Sequence, residues 1–110
     1  MALKLVKRNK LLVPVVGKMK DEDGKDVPFK FTLHCIRLTQ EEIDEAIADK
    51  KESVAAFMRR VATGWEAVLD ESGAALDFSA ENFDAVLSEA GMPAVCFQFY
   101  MKEVGAVAKN

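Results

Sequence analysis

The sequence predicts an α+β fold, an N-terminal β-hairpin over residues 1–38 followed by about four α-helices over 39–110, in a single domain. Three observations carry that prediction. Apolar residues alternate with others at 11–19 and at 29–35, the period-two signature of a half-buried strand. Beyond residue 38 the apolar spacing lengthens to the helical period of about 3.6. Two cap-and-staple patterns, at 38–43 and 78–83, mark helix starts. A chain of 110 residues, 50% apolar and 30% charged, can bury one small core beneath a well-solvated surface.

In the first strand Leu11, Val13, Val15 and Met19 hold odd positions, with Gly17 among them. Pro14 cannot donate to a ladder, so this strand belongs at a sheet edge or is bulged there. "KDEDGKDVP" is the polar connection, and Gly24 suits a left-handed backbone within it. Phe29, Phe31, Leu33 and Cys35 then alternate with Lys30, Thr32 and His34 to complete the hairpin.

The first helix opens with Thr39 at N-cap and Glu42 at N3, a capping box, with Leu38 and Ile43 at the staple positions. Acidic residues in its first turn suit the positive end of the helix dipole. In the next segment Val54, Phe57, Met58, Val61, Trp65 and Val68 or Leu69 read as one continuous helical stripe. Gly64 interrupts the stripe at ~1 kcal/mol relative to Ala. It either ends the helix or lets another helix approach Trp65. "DESG" is a polar reversal about Gly73. Phe78, Ser79 and Phe83 repeat the staple and cap, with Asn82 replacing the Glu of the box; Phe83, Val86, Leu87 and Ala90 form the inner stripe. Gly91 marks that helix's stop, and Pro93 suits the first turn of a last one. Val95, Cys96, Phe97, Phe99, Tyr100 and Met101 make the last helix apolar almost all round. One small core cannot take them all, so some are expected on the hairpin or on another chain.

Several chemistries fail on residue type and spacing. The lone His34 and its neighbour Cys35 point to opposite faces of a strand, so they form neither a metal pair nor a nucleophile–base pair. "DEDG" and "DESG" mimic calcium loops, but with Gly at the sixth position the first ligand would be Met19 or Val68, which lack an oxygen donor in the side chain. The acidic residues at 41–45 fill a helix start, and nothing sets two carboxyls in an apolar pocket as acid–base catalysis needs. The two cysteines are expected as buried free thiols. No apolar run approaches the ~20 residues needed to span a bilayer. The basic-then-apolar start resembles a signal peptide only weakly, because Lys10 and Lys18 bracket seven uncharged residues that include Pro14. A cytosolic, non-enzymatic protein is expected.

Charge is uneven. Residues 1–37 hold nine Lys/Arg against four Asp/Glu, a balance of +5; residues 38–110 hold six against fourteen, a balance of −8. Such a split favours head-to-tail attraction between copies, or two differently charged docking surfaces. The basic arm of Lys4, Lys7, Arg8 and Lys10 has no interleaved aromatic residue and the remainder is acidic, so nucleic acid is not an expected partner.

Residues 64–110 carry a recurring pattern: Gly64-Trp65, Val68, Asp70, Gly73, Leu76, Phe78-Ser79, Glu81-Asn82 and Leu87, then an aromatic-rich last helix and Lys109-Asn110. This resembles the C-terminal half of the tail assembly chaperones of long-tailed phages. The resemblance implies a non-enzymatic protein of the host bacterial cytoplasm, without cofactor or metal. Such a protein binds the long, aggregation-prone tape measure protein, helps recruit tail tube protein, and self-associates as a homo-oligomer. A face built by the last helix with Trp65 is then the expected client surface, with Trp65, Phe97, Tyr100 and Met101 as contacts and Met58 as an adaptable filler. The competing expectation is a structural, tail-completion or tube-associated component that uses the hairpin edge for strand addition.

Overall fold

The period-two segments fold as two eleven-residue strands, β1 (Lys10–Lys20) and β2 (Asp26–Ile36), paired antiparallel without interruption from Lys10 opposite Ile36 to Lys20 opposite Asp26. The computed structural model describes residues 2–6, 9–49 and 52–106; Lys7 and Arg8 of the basic arm and the terminal Lys109-Asn110 lie outside them. The remaining elements are α1 (Gln40–Ala48), α2 (Val54–Val61), β3 (Ala62–Glu66), α3 (Ala80–Leu87) and α4 (Met92–Val104). The fold is α+β, and the hairpin is part of a three-stranded antiparallel sheet of order β1-β2-β3. Among the described residues no helix is long and apolar enough to cross a membrane.

β3 corrects the reading of one continuous stripe through Trp65 and Leu69. The helix ends at Val61, Ala62 takes an extended backbone, and the chain runs along the free edge of β2. Gly64 therefore neither ends a helix nor admits one; it stands opposite His34 in the sheet. Thr63 is the extra residue of a bulge between His34 and Cys35, and its hydroxyl donates to the His34 carbonyl at 3.1 Å. A five-residue strand and a helical turn can place the same apolar residues toward one core, so spacing alone does not separate them.

The caps form as the residues demand. Thr39 and Glu42 make both halves of the capping box. Ser79 accepts from the Asn82 amide at 3.0 Å, while the Asn82 side chain reaches the Asp77 carbonyl at 2.8 Å. α3 stops at Leu87 with Ser88 as its cap, so Gly91 does not close it. With φ of 85°, Gly91 instead makes the left-handed step directly before α4, and Pro93 lies in that helix's first turn.

The core lies on one face of the sheet. Leu11, Val13 and Val15 of β1 and Phe31, Leu33 and Cys35 of β2 meet Phe57, Met58 and Val61 of α2 and Phe83 and Leu87 of α3. From α4 come Met92, Cys96, Tyr100 and Val104, spaced by four. Each fully buried large apolar side chain contributes roughly 1.5–3 kcal/mol. Tyr100 ties α4 to the sheet: its hydroxyl donates to the Ile36 carbonyl at 2.9 Å and accepts from the Leu38 amide at 3.2 Å. Arg37 donates to the Val104 carbonyl at 3.2 Å, placing a cation at the negative end of α4. β1 is an edge strand, as Pro14 requires, and Leu12, Val16 and Ile36 lie exposed on the sheet's other face.

Candidate functional site

The hairpin reaches past the helices, and its far end builds one wall of an apolar groove. Gly17 permits this locally. A Cβ there would sit 2.7 Å from Phe29 Cζ, so the Phe29 ring lies across the bare strand and packs against Phe31, 6.1 Å between centroids. The closing turn is held by Asp21, whose carboxylate accepts from the Asp23 and Lys25 amides, both at 2.9 Å. Lys18 and Lys20 converge on Asp26 across the strands, and the Lys20 ammonium, with that of Lys18, holds the Asp26 carboxyl below its ordinary value.

The facing wall comes from residues 67–76. Ala67 has φ of 66°, an uncommon left-handed conformation for a residue with a Cβ, and it turns the chain out of β3. The segment returns on itself through Leu69 opposite Ala75, closed by Asp70. The Asp70 carboxylate accepts from Ser72 Oγ at 2.6 Å and from the Ser72 and Ala74 amides at 2.9 and 3.0 Å. Those bonds favour its charged form and lower its pKa, the Ser72 hydroxyl most. "DEDGK" and "DESGA" are thus the same Asp-anchored turn, used twice. Trp65 clips the segment in place: Nε1–H donates to the Leu76 carbonyl at 2.7 Å, and the ring stands edge-to-face on Phe78 at 5.1 Å and on Phe83 at 6.2 Å.

Between these walls lies a hollow of about 330 Å³ lined by Met19, Phe29, Phe31, Leu69, Val86 and Met92, with Lys30 and Glu89 at its rim. Leu69 is 60% exposed and Met19 36%. The groove is apolar and carries two flexible thioethers, which adapt to irregular side chains.

The five expected partner contacts are dispersed. Met58 and Tyr100 are 0% exposed, which corrects their assignment to a partner face. Met58 fills the core, and Tyr100 is held by two hydrogen bonds and an edge-to-face contact with Phe57 at 5.5 Å. Trp65 is half-buried and engaged with Leu76, Phe78 and Phe83. Phe97 and Met101 are half-buried; Phe97 packs edge-to-face on Phe57 at 5.3 Å and borders a separate hollow between α1 and α2. None of the five lines the groove under the hairpin. Arg59 and Arg60 point outward as expected, but each is paired within the chain, Arg59 with Asp84 and Arg60 with Glu52. Sequence reasoning missed Met19, Phe29, Leu69 and Val86 as groove residues. The available signal was the strand alternation running on to Met19 and Phe29, beyond the length the helices can cover.

Reactive groups are subdued or scattered. Burial pushes the Cys35 thiol up to about 12, with Cys96 adding to it, and the Cys96 thiol up to about 11. His34 lies on the sheet's outer face, its Nε2 shielded from solvent and 3.4 Å from Glu66 Oε2. Among the described residues no group of three His, Cys, Asp or Glu is placed to hold a metal ion. Comparison with family models, curated proteins and solved structures finds no match to the chain.

Proposed function

We propose that this protein is a phage tail assembly chaperone, a non-enzymatic holder of the tape measure protein that acts in the host bacterial cytoplasm and helps recruit tail tube protein. The observation that carries the proposal is the open apolar groove between the hairpin and residues 67–69, with Met19, Phe29, Leu69 and Met92 lining it. A groove of this composition accepts the apolar stripe of an amphipathic helix, and weak contacts repeated along a long helical client add up through avidity.

The residues of the phage-chaperone pattern support the reading in a second way. Trp65, Leu76 and Phe78 hold one another, Ser79 caps α3, and Asp70 and Gly73 make the turn, so together they position the Leu69 wall. The pattern is a scaffold for a binding wall. The client surface moves accordingly from the last helix to the groove.

Leu69→Asp tests this. The residue is 60% exposed, so the fold should persist. Co-expression with a tape measure fragment should lose solubilisation and co-purification, with affinity down about tenfold, equivalent to ~1.4 kcal/mol. A folded variant that still solubilises the fragment would remove the groove from the mechanism.

A further inference from the structure

We propose that the free edge of β1 docks an extended segment of a different protein, apolar at alternate residues and acidic at both ends, which pairs there as an added strand of the sheet. This surface is separate from the groove assigned to the client above, and its test uses no client.

The hydrogen-bond phase of the hairpin leaves the edge open. The Arg37 amide donates to the Asn9 carbonyl at 3.0 Å, one step beyond the pair Lys10 and Ile36. Bonded and unbonded pairs alternate along an antiparallel ladder, so the odd residues of β1 bond to β2 and the even ones turn their backbone groups outward. Lys10, Leu12, Val16 and Lys18 therefore offer an amide and a carbonyl to the open side, and Pro14 offers a carbonyl alone. Pro14 fits the hairpin because the donor it lacks would have faced away from β2.

An added strand would meet apolar surface on both of its faces. On the outer face of the sheet Leu12 is 58% exposed and Val16 43%. On the inner face α4 packs on β1. One flank of α4 carries Phe97, turned to Phe57 of α2. The other carries Val95, Phe99 and Glu103, spaced by four and half-buried, with Lys102 Nζ 5.9 Å from the centre of the Phe99 ring. Because α2 runs on into β3 at the opposite edge of the sheet, this second flank borders the free edge of β1.

Charge selects the occupant. Lys10 stands at one end of the edge and Lys18 and Lys20 at the other. The latter two share the Asp26 carboxylate, at 3.2 and 2.7 Å, so two ammonium groups on one carboxylate leave that end positive. A second copy is rejected. Antiparallel pairing along the whole of β1 would set each Lys10 against the other's Lys20, a shift by two would set it against Lys18, and each Pro14 would withhold a donor. A strand with acids at its ends and apolar residues between meets the lysines, Leu12 and Val16 together.

The probe is a peptide as long as β1, eleven residues, capped at both termini, with glutamate at each end and valine and threonine alternating between. Added to the full chain, it should slow hydrogen exchange at the Leu12 and Val16 amides and leave α1 unchanged. Of two N-methylated probes, one modified on odd and one on even residues, one should bind and the other should not. Lysine in place of the end glutamates should weaken binding about tenfold, and salt should weaken the acidic probe. Val16→Pro removes an outward donor that β2 does not use, so circular dichroism should show the fold kept while binding falls about tenfold. The N-methylated pair needs no variant, so it decides even if Val16→Pro unfolds. A probe that leaves Leu12 and Val16 exchange unchanged, or slows β3 instead, overturns the proposal, as does equal binding of the two methylated probes. Protection of Leu12 and Val16 that grows with protein concentration in the absence of probe would place a second copy on the edge and overturn it as well.

Discussion

Replacing Tyr100 by Phe removes one oxygen from the joint between α4 and the sheet. The ring is fully buried and keeps its edge-to-face contact with Phe57, so packing changes little. Two hydrogen bonds go. The Leu38 amide, in a buried bond of 3.2 Å, loses its acceptor, and the Ile36 carbonyl loses a donor at 2.9 Å. An unsatisfied buried donor costs about 1–3 kcal/mol. The bond to the Ile36 carbonyl is only part-buried, so its loss adds less than that of the Leu38 amide. The sum is about 2 kcal/mol, or roughly 10 °C in Tm for a domain near this size. Urea denaturation should show a lower midpoint with an unchanged slope, because the surface exposed on unfolding is the same. Client binding by the folded fraction should be unaltered. A stability loss below ~0.5 kcal/mol would refute the claim that this hydroxyl holds the joint. Full stability with lost client binding would return Tyr100 to the binding face.

Other perturbations read other parts of the same argument. Trp65→Phe deletes the 2.7 Å bond to the Leu76 carbonyl and should destabilise by about 1–2 kcal/mol, with amide exchange accelerated over residues 68–79 and unchanged in α1; unaltered exchange in that segment would mean the clip is not what holds it. Thiol reagents at mildly alkaline pH should label native Cys35 and Cys96 only as fast as the chain unfolds, because burial raises both thiols, to about 12 and about 11. These raised values also set a sign. The unfolded thiols ionise near 9.0 while the folded ones stay neutral, so stability is complete below that value and falls as pH rises toward 11 and 12. Burial raises the phenol of Tyr100 as well, with the same sign. Denaturation midpoints that hold constant as pH rises past 9.0 would contradict the burial of the thiols, and past 10.0 that of the phenol.

Local rules were legible where one residue type does one job. Thr39 with Glu42 and Ser79 with its N3 amide cap helices because nothing else nearby satisfies those N–H groups. The alternation from Leu11 to Cys35 sets the hairpin register without a shift, because a slip by one would turn Val13 and Leu33 to solvent. "DEDG" and "DESG" were legible as turns about Gly24 and Gly73, both with positive φ; that Asp21 and Asp70 anchor them was not. β3 was not legible, since Val61 and Trp65 keep helical spacing while the deciding partner, the open edge of β2, lies some thirty residues away in sequence. Tyr100 shows the same limit within a helix. Composition makes the last helix apolar, but only the approach of Ile36 and Leu38 selects Tyr100 for burial and leaves Phe97 and Met101 at the margin.

The groove is harder to read because neither wall is coded as a site. Met19 and Phe29 look like core residues of an ordinary hairpin, and Leu69 looks like the end of a helical stripe. What leaves the space is incomplete cover: the strands are buried on their inner face over Leu11–Val15 and Phe31–Cys35, while toward Met19 and Phe29 they meet only residues 67–69, Val86 and Met92 across the hollow. A chain selected for stability alone gains by closing such a gap, since covered apolar surface contributes about 25 cal/mol per Å². Two features flank it here. The Asp70 turn and the Trp65 clip order the segment that carries Leu69, and the lysines paired on Asp26 keep the end of the hairpin charged. A surface lined by methionine and phenylalanine and left open beside ordered turns has the physical character of an apolar docking surface, and that is why the client we propose is placed there and not on the rings of α4.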